Sequence, residues 1–289
     1  MIKKILKKSL AVLFLICAAF LAESCVSKPQ INPEQEELFY PQSSYIPQTF
    51  EWQKISKESS IEYSYFENKS FPIIYHLVKI DLQNKNLKLI TFPDKNQTNK
   101  KFKSKKTKTF AKENELEVAI NASPFEGRIG STRQIVGIHK TEDFQLSEPI
   151  QKYSALAFKK SENGYIAKII TNQIQNDFES YNFAFGGFFT ILENGEPKSF
   201  IAATHDSRTA AGLSQDGKTL FLLVVEGERK NKSEGLSYQQ CAKIFKSLGC
   251  KDALEFDGGG SSELCINAKS VLTYQNFRIQ ANSFGFKTK

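Results

Sequence analysis

The chain has 289 residues, of which 40% are hydrophobic and 24% charged, and a formal net charge of +8. This is the composition of a globular protein; it excludes a disordered polar chain and a bundle of membrane spans, and 16 Gly and 9 Pro exclude a collagen-like or Pro-rich fibre. The charge raises nucleic-acid binding as a class, so the location of the lysines decides whether that class survives.

Residues 1–24 have the pattern of an export leader: Lys3, Lys4, Lys7 and Lys8 precede an apolar run over 10–22 that is too short to span a bilayer comfortably. The run ends Leu21-Ala22-Glu23-Ser24-Cys25, a relaxed lipoprotein box that makes Cys25 the expected lipidation site; ordinary cleavage after Ser24 is the alternative. Residues 25–50, with Pro29, Pro33, Pro41 and Pro47, are expected to tether the anchor to a folded body over 51–289. The expected product is an exported, membrane-anchored lipoprotein of a bacterial envelope, on its periplasmic or surface face. Removing the leader's four Lys and one Glu takes the net charge from +8 to +5. A second cluster, Lys100, Lys101, Lys103, Lys105, Lys106 and Lys108, reads as a solvated loop or as a lip attracting an anion. No nucleic-acid motif accompanies it, and nucleic acid is not an expected partner.

Alternating apolar runs over 61–66, 73–80 and 87–90 predict strands, with a turn at 81–86. A short helix follows over 109–116, then a strand, Val118-Ala119-Ile120-Asn121. Asn163-Gly164 and Gln215-Asp216-Gly217-Lys218 are hairpin turns, the first between runs 154–158 and 165–171 and the second between 210–214 and 219–225. The best-marked helix is 238–248, with Ser237 as N-cap, Gln240 completing a capping box and Gly249 as the stop. Residues 253–257 are a strand. Many strands and few helices predict one α+β domain of mixed or antiparallel sheets with a few flanking helices.

Several motifs can carry chemistry. Asp257-Gly258-Gly259-Gly260-Ser261-Ser262 places a carboxylate at a strand end before three glycines whose amides can approach an anion. His205-Asp206-Ser207-Arg208-Thr209 holds an imidazole, a carboxylate and an anion-gripping guanidinium within five residues, or is a polar loop with a local ion pair. Glu226 ends an apolar strand, and Asn121 ends another. Gly186-Gly187 is more often packing than binding. Arg278 and Asn282 lie near the C-terminus. Cys241, Cys250 and Cys265 allow at most one disulfide, their spacing does not fit zinc, and three histidines make a poly-histidine centre improbable. Ca²⁺ or Mg²⁺ among Asp257, Glu226 and carbonyl oxygens is compatible with the residue types but not demanded by them.

The order of these pieces, from strand-Asn through Gly-Gly, Arg208-Thr209-Ala210, Val225-Glu226-Gly227 and the capped helix to Leu254-Glu255-Phe256-Asp257-Gly258-Gly259-Gly260-Ser261 and a final Arg…Asn, is similar to the phosphodiester glycosidase family over 118–286, with a weaker fit from about residue 60. The resemblance implies that family's fold and hydrolysis of a sugar 1-phosphodiester at the anomeric carbon. It implies Asp257 and Glu226 as catalytic carboxylates and His205 as proton carrier. Arg208, Arg278, Asn121, Asn282, Gly187, Gly258, Gly259, Gly260 and Ser261 then form the substrate and phosphate site. The chain departs from the family at Asn121-Ala122-Ser123-Pro124-Phe125, where the family carries Asn-Gly-Gly-Phe-Phe; Ala and Pro restrict that backbone. A non-catalytic sugar-phosphate-binding lipoprotein of the same fold is the alternative, and a structural adhesin a third class.

Overall fold

A computed structural model describes residues 33–57, 59–94, 101–127, 132–142, 144–201 and 203–288. The leader, Cys25 and the first part of the expected tether lie outside the described residues. Strand residues outnumber helical ones by 44% to 13%, so the α+β expectation holds in a form dominated by sheet.

An eight-stranded antiparallel sheet forms the centre. Its order is Gln53–Lys54, Ile61–Asn68, Ile73–Asp81, Thr219–Glu226, Arg208–Ser214, Cys250–Glu255, Thr190–Glu193 and Glu196–Pro197. Both faces are covered, which is why its middle strands are apolar runs without polar alternation: Thr219–Glu226 is buried at every position after the first. Alternation still decides which cover each side chain meets. Val78, Leu222, Val224, Ala211 and Leu254 pack towards Phe158, Phe185, Ile120 and Phe284 of two five-stranded sheets. Tyr75, Leu77, Leu223, Val225 and Ala210 pack on the other side against Ile244 and Phe245 of the Tyr238–Ser247 helix. One smaller sheet runs Phe144–Ser147, His139–Thr141, Phe183–Gly186, Ala155–Ser161, Gly164–Ile170. The other runs Lys269–Ser270, Leu264–Ile266, Val118–Asn121, Ser283–Thr288, Leu87–Phe92.

The helix Tyr238–Ser247 carries the predicted capping box: the Gln240 amide donates to Ser237 Oγ at 3.2 Å, and the Ser237 amide donates to Gln240 Oε1 at 3.0 Å. Its buried face is Cys241, Ile244 and Phe245. The first body helix starts earlier than expected, at Thr107, because the Thr107 amide is held by Gln280 Oε1 at 3.1 Å. The strand after Gly249 also starts earlier, at Cys250, and its ladder ends at Glu255, two residues short of Asp257.

Residues 33–50, the described part of the expected 25–50 tether, are instead packed on the body. Pro33–Phe39 is a helix docked on the body. Glu36 is buried and accepts hydrogen bonds from Ser237 Oγ at 3.0 Å and from His205 Nε2 at 2.8 Å. Tyr45 is fully buried, and its carbonyl accepts a hydrogen bond from the Tyr75 hydroxyl at 2.8 Å. Buried aromatic surface and paired polar groups here outweigh the Pro-rich composition. Among the described residues no helix is long and apolar enough to cross a membrane.

Candidate active site

Antiparallel pairing of Arg208 with Val225 and of Ala210 with Glu255 sets the start of one strand beside the ends of its two neighbours. Arg208, Glu226 and Asp257 therefore lie at one end of the central sheet. The Val118–Asn121 strand reaches the same place from the adjoining sheet. There the Asn121 side chain donates from Nδ2 to the Asp257 carbonyl at 2.7 Å, and the Asp257 amide donates to the Ala122 carbonyl at 2.8 Å.

Asp257 is half-buried at this junction. Burial pushes its carboxyl up to about 6, against the pull of the Ser261 hydroxyl and the Arg278 charge. Arg278 is exposed, its guanidinium centred 5.7 Å above the Phe125 ring. The glycines divide by role. Gly259, at φ +55°, donates its amide to the Ser207 carbonyl at 2.8 Å, which takes that N–H away from any ligand. Gly258 passes so close to Ser207 that a Cβ there would lie 2.8 Å from the Ser207 carbonyl oxygen. The amides of Gly258 and Gly260 have no acceptor among the described residues. Asp257, Arg278 and these two amides form a site for an anionic group beside a carboxylate poised near neutral pH.

The other expected residues are placed differently. Glu226 is fully buried with both oxygens engaged. Oε1 accepts from His76 Nε2 at 2.9 Å and from the Thr273 amide at 2.7 Å; Oε2 accepts from Arg229 Nη1 at 2.6 Å and Thr273 Oγ1 at 2.5 Å. Burial alone raises its pKa, but the hydrogen bonds from His76 and Thr273 outweigh that and hold it below the ordinary carboxylate value. Four N–H and O–H donors occupy the lone pairs a cation would need, so Glu226 does not fit a Ca²⁺ or Mg²⁺ ligand. Its visible work is to anchor the 271–282 loop that carries Arg278.

Arg208 points to the helix side of the sheet. Its guanidinium lies 3.8 Å from the centre of the Tyr238 ring and donates to the carbonyls of Leu236 at 2.9 Å and Thr204 at 2.5 Å. His205, on the same side, is joined to Glu36. Asn121 is consumed internally: Oδ1 accepts from the Glu263 amide at 2.9 Å and from Thr209 Oγ1 at 3.2 Å. Asn282 Oδ1 accepts from the Ser123 amide at 2.8 Å, while its Nδ2 donates to Ser123 Oγ at 2.8 Å and lies 3.1 Å from His139 Nδ1. Ser123 thus supplies both the amide and the hydroxyl partner of Asn282. A Cβ on Gly187 would sit 2.5 Å from the Glu255 carbonyl, which makes Gly187 a close-packing glycine. Cys241, Cys250 and Cys265 are free and buried.

Sequence reasoning passed over His76, Thr273, Arg229 and Glu255. Tyr63, His76 and Glu226 lie on one diagonal across three neighbouring strands, linked by Tyr63 hydroxyl to His76 Nδ1 at 2.8 Å and His76 Nε2 to Glu226. The signal was the pairing register, which a single strand does not display. Glu255 is buried, and neither carboxyl oxygen has a hydrogen-bond partner among the described residues. Burial pushes it up to about 8, against the pull of Arg208.

The site stands at the end of a covered antiparallel sheet and brings together a carboxylate, a glycine loop and an arginine. The phosphodiester glycosidase family model matches residues 114–287, and the chain belongs to that family. Its fold is similar to that of the zebrafish N-acetylglucosamine-1-phosphodiester alpha-N-acetylglucosaminidase catalytic domain auto-inhibited by its pro-peptide, with 17% identity, TM-score 0.61, and coverage of 91% of this chain and 96% of that one. A hypothetical protein from Synechocystis has TM-score 0.62 at 13% identity, over 80% of this chain and 62% of its own. The SPbeta prophage-derived uncharacterized protein YomE of Bacillus subtilis (strain 168) is 31% identical over 96 residues, which are 31% of this chain and 14% of YomE.

Proposed function

We propose that the chain hydrolyses a sugar 1-phosphodiester at the anomeric carbon and releases the free sugar. Water attacks that carbon, its bond to the ester oxygen breaks, and the bonding pair leaves with a phosphomonoester. Asp257 orients the water and takes its proton; Arg278 and the Gly258 and Gly260 amides receive the phosphate. Phosphate is a good leaving group, so charge stabilisation around it matters more than a strong general acid.

The observation that carries this reading is the half-buried Asp257 carboxyl, raised to about 6, beside an exposed arginine and two open amides. Asp257 is ionised above that value, as a base must be. The test is incubation with a sugar phosphodiester in oxygen-18 water. The label is expected in the sugar; label in the phosphate, or no free sugar, contradicts the reading.

We also propose export and a lipid on Cys25, supported by the leader pattern. Cys25→Ala is expected to move the mature protein from the membrane fraction to the soluble one; an unchanged membrane fraction contradicts the anchor.

A further inference from the structure

A cleft of about 510 Å³ adjoins the Asp257–Ser262 loop, lined by Lys106, Lys108, Glu263, Ser270, Thr273 and Asn276 among others. Asn276 joins it to the site already described. Its Nδ2 donates to the Ser262 carbonyl at 2.8 Å, and its Oδ1 accepts from the amide of Arg278, also at 2.8 Å. The Asp257–Arg278 site and the cleft therefore share one connecting residue.

The lysines of this region are not equivalent. Lys105 pairs with Glu113 at 2.6 Å. Lys106 and Lys108 have no carboxylate within ion-pair distance among the described residues, and both line the cleft. The Lys106 ammonium lies 5.4 Å from the centre of the Phe277 ring, which gives its stem a surface to rest on. Glu263 is the acid that faces them, buried and accepting the Ser270 hydroxyl at 2.5 Å. Burial pushes its carboxyl up to about 6, against the pull of the Ser270 hydroxyl and of the Lys108 and Lys106 charges, so one carboxylate faces two ammonium groups and leaves a net positive wall. A solvated lysine loop has no need of a concave polar wall.

We propose that Lys106 and Lys108 form a subsite for the alcohol half of the substrate, and that this half carries a second phosphate. The inference rests on the glycosidase reading, because it assigns the other half of the same diester. The product leaving the cleft is then an alcohol with two phosphates.

The test uses two probes without a glycosidic bond, glycerol 3-phosphate and glycerol bisphosphate, titrated by calorimetry into the intact protein at low salt. The bisphosphate is expected to bind roughly tenfold tighter, with the preference shrinking as salt is added. Lys106→Ala/Lys108→Ala is expected to bring the ratio to about one, while Lys159→Ala/Lys168→Ala, exposed on a distant sheet, keeps it. No preference in the unsubstituted protein, a preference that survives the first double variant, or equal loss in the second overturns the subsite. Since the probes are not turned over, a protein that keeps the preference but releases no sugar refutes the glycosidase reading alone. One that releases sugar without the preference refutes the subsite alone.

Discussion

Replacing Glu255 with Gln should stabilise the protein, and more so as pH rises. The carboxyl is buried without a hydrogen-bond partner among the described residues, and its pKa moves from 4.5 to about 8 on folding. Between those values the folded state holds a proton that the unfolded state has released. Stability is then lost as pH rises, since it follows the excess of protons bound by the unfolded state, here negative. At about 1.4 kcal/mol per pH unit, the span from 4.5 to about 8 amounts to about 5 kcal/mol at full effect. Gln keeps the shape and cannot ionise. Unfolding by urea at pH 5, 6.5 and 8 should show the two proteins close at pH 5 and the variant ahead by several kcal/mol at pH 8. Glu263, also raised, titrates in both proteins and cancels in the difference, whereas Asp257 is coupled to Glu255 and cancels only in part. A difference independent of pH, or a variant less stable at pH 8, refutes the argument.

Three further substitutions probe the frame around the site. Glu226→Ala strands His76, Arg229 and Thr273 and should cost about 3–5 kcal/mol in chemical denaturation; a loss under 1 kcal/mol contradicts the buried network. Gly187→Ala forces a methyl against the Glu255 carbonyl and should cost about 1–3 kcal/mol by the same measurement, with no change in KM. Glu36→Ala removes the acceptor for Ser237 and His205 and should lower stability by about 1–3 kcal/mol; an unchanged thermal midpoint shows the N-terminal helix to be undocked in solution.

The local signals and the long-range ones fared differently. The Ser237 cap and the hairpin turn act within a few residues: the cap is where the sequence places it, and the turn falls one residue earlier than expected, at Glu162-Asn163, with Gly164 opening the next strand. The Asp257 loop was legible because three consecutive glycines after a strand are costly without a purpose. What the sequence concealed was direction. Arg208 and Thr209 are neighbours in sequence, yet one faces Tyr238 and the other Asn121, since adjacent strand residues point to opposite faces. Whether an Arg in an Arg-Thr-Ala triplet grips a ligand or a helix depends on which face is covered by what. Residues 33–50 misled for a related reason: four of their contacts are with residues more than 150 positions away, at His205, Ser237, Glu234 and Lys243.

The central claim is that Asp257 performs chemistry on a sugar phosphodiester. Asp257→Asn preserves size and leaves the Ala122 and Asn121 backbone links in place. Measured as free sugar released from a sugar 1-phosphodiester, kcat should fall by about 10²–10⁴ with KM changed by less than a few fold. Turnover at the unsubstituted rate by the folded variant, or a loss confined to KM, contradicts the claim.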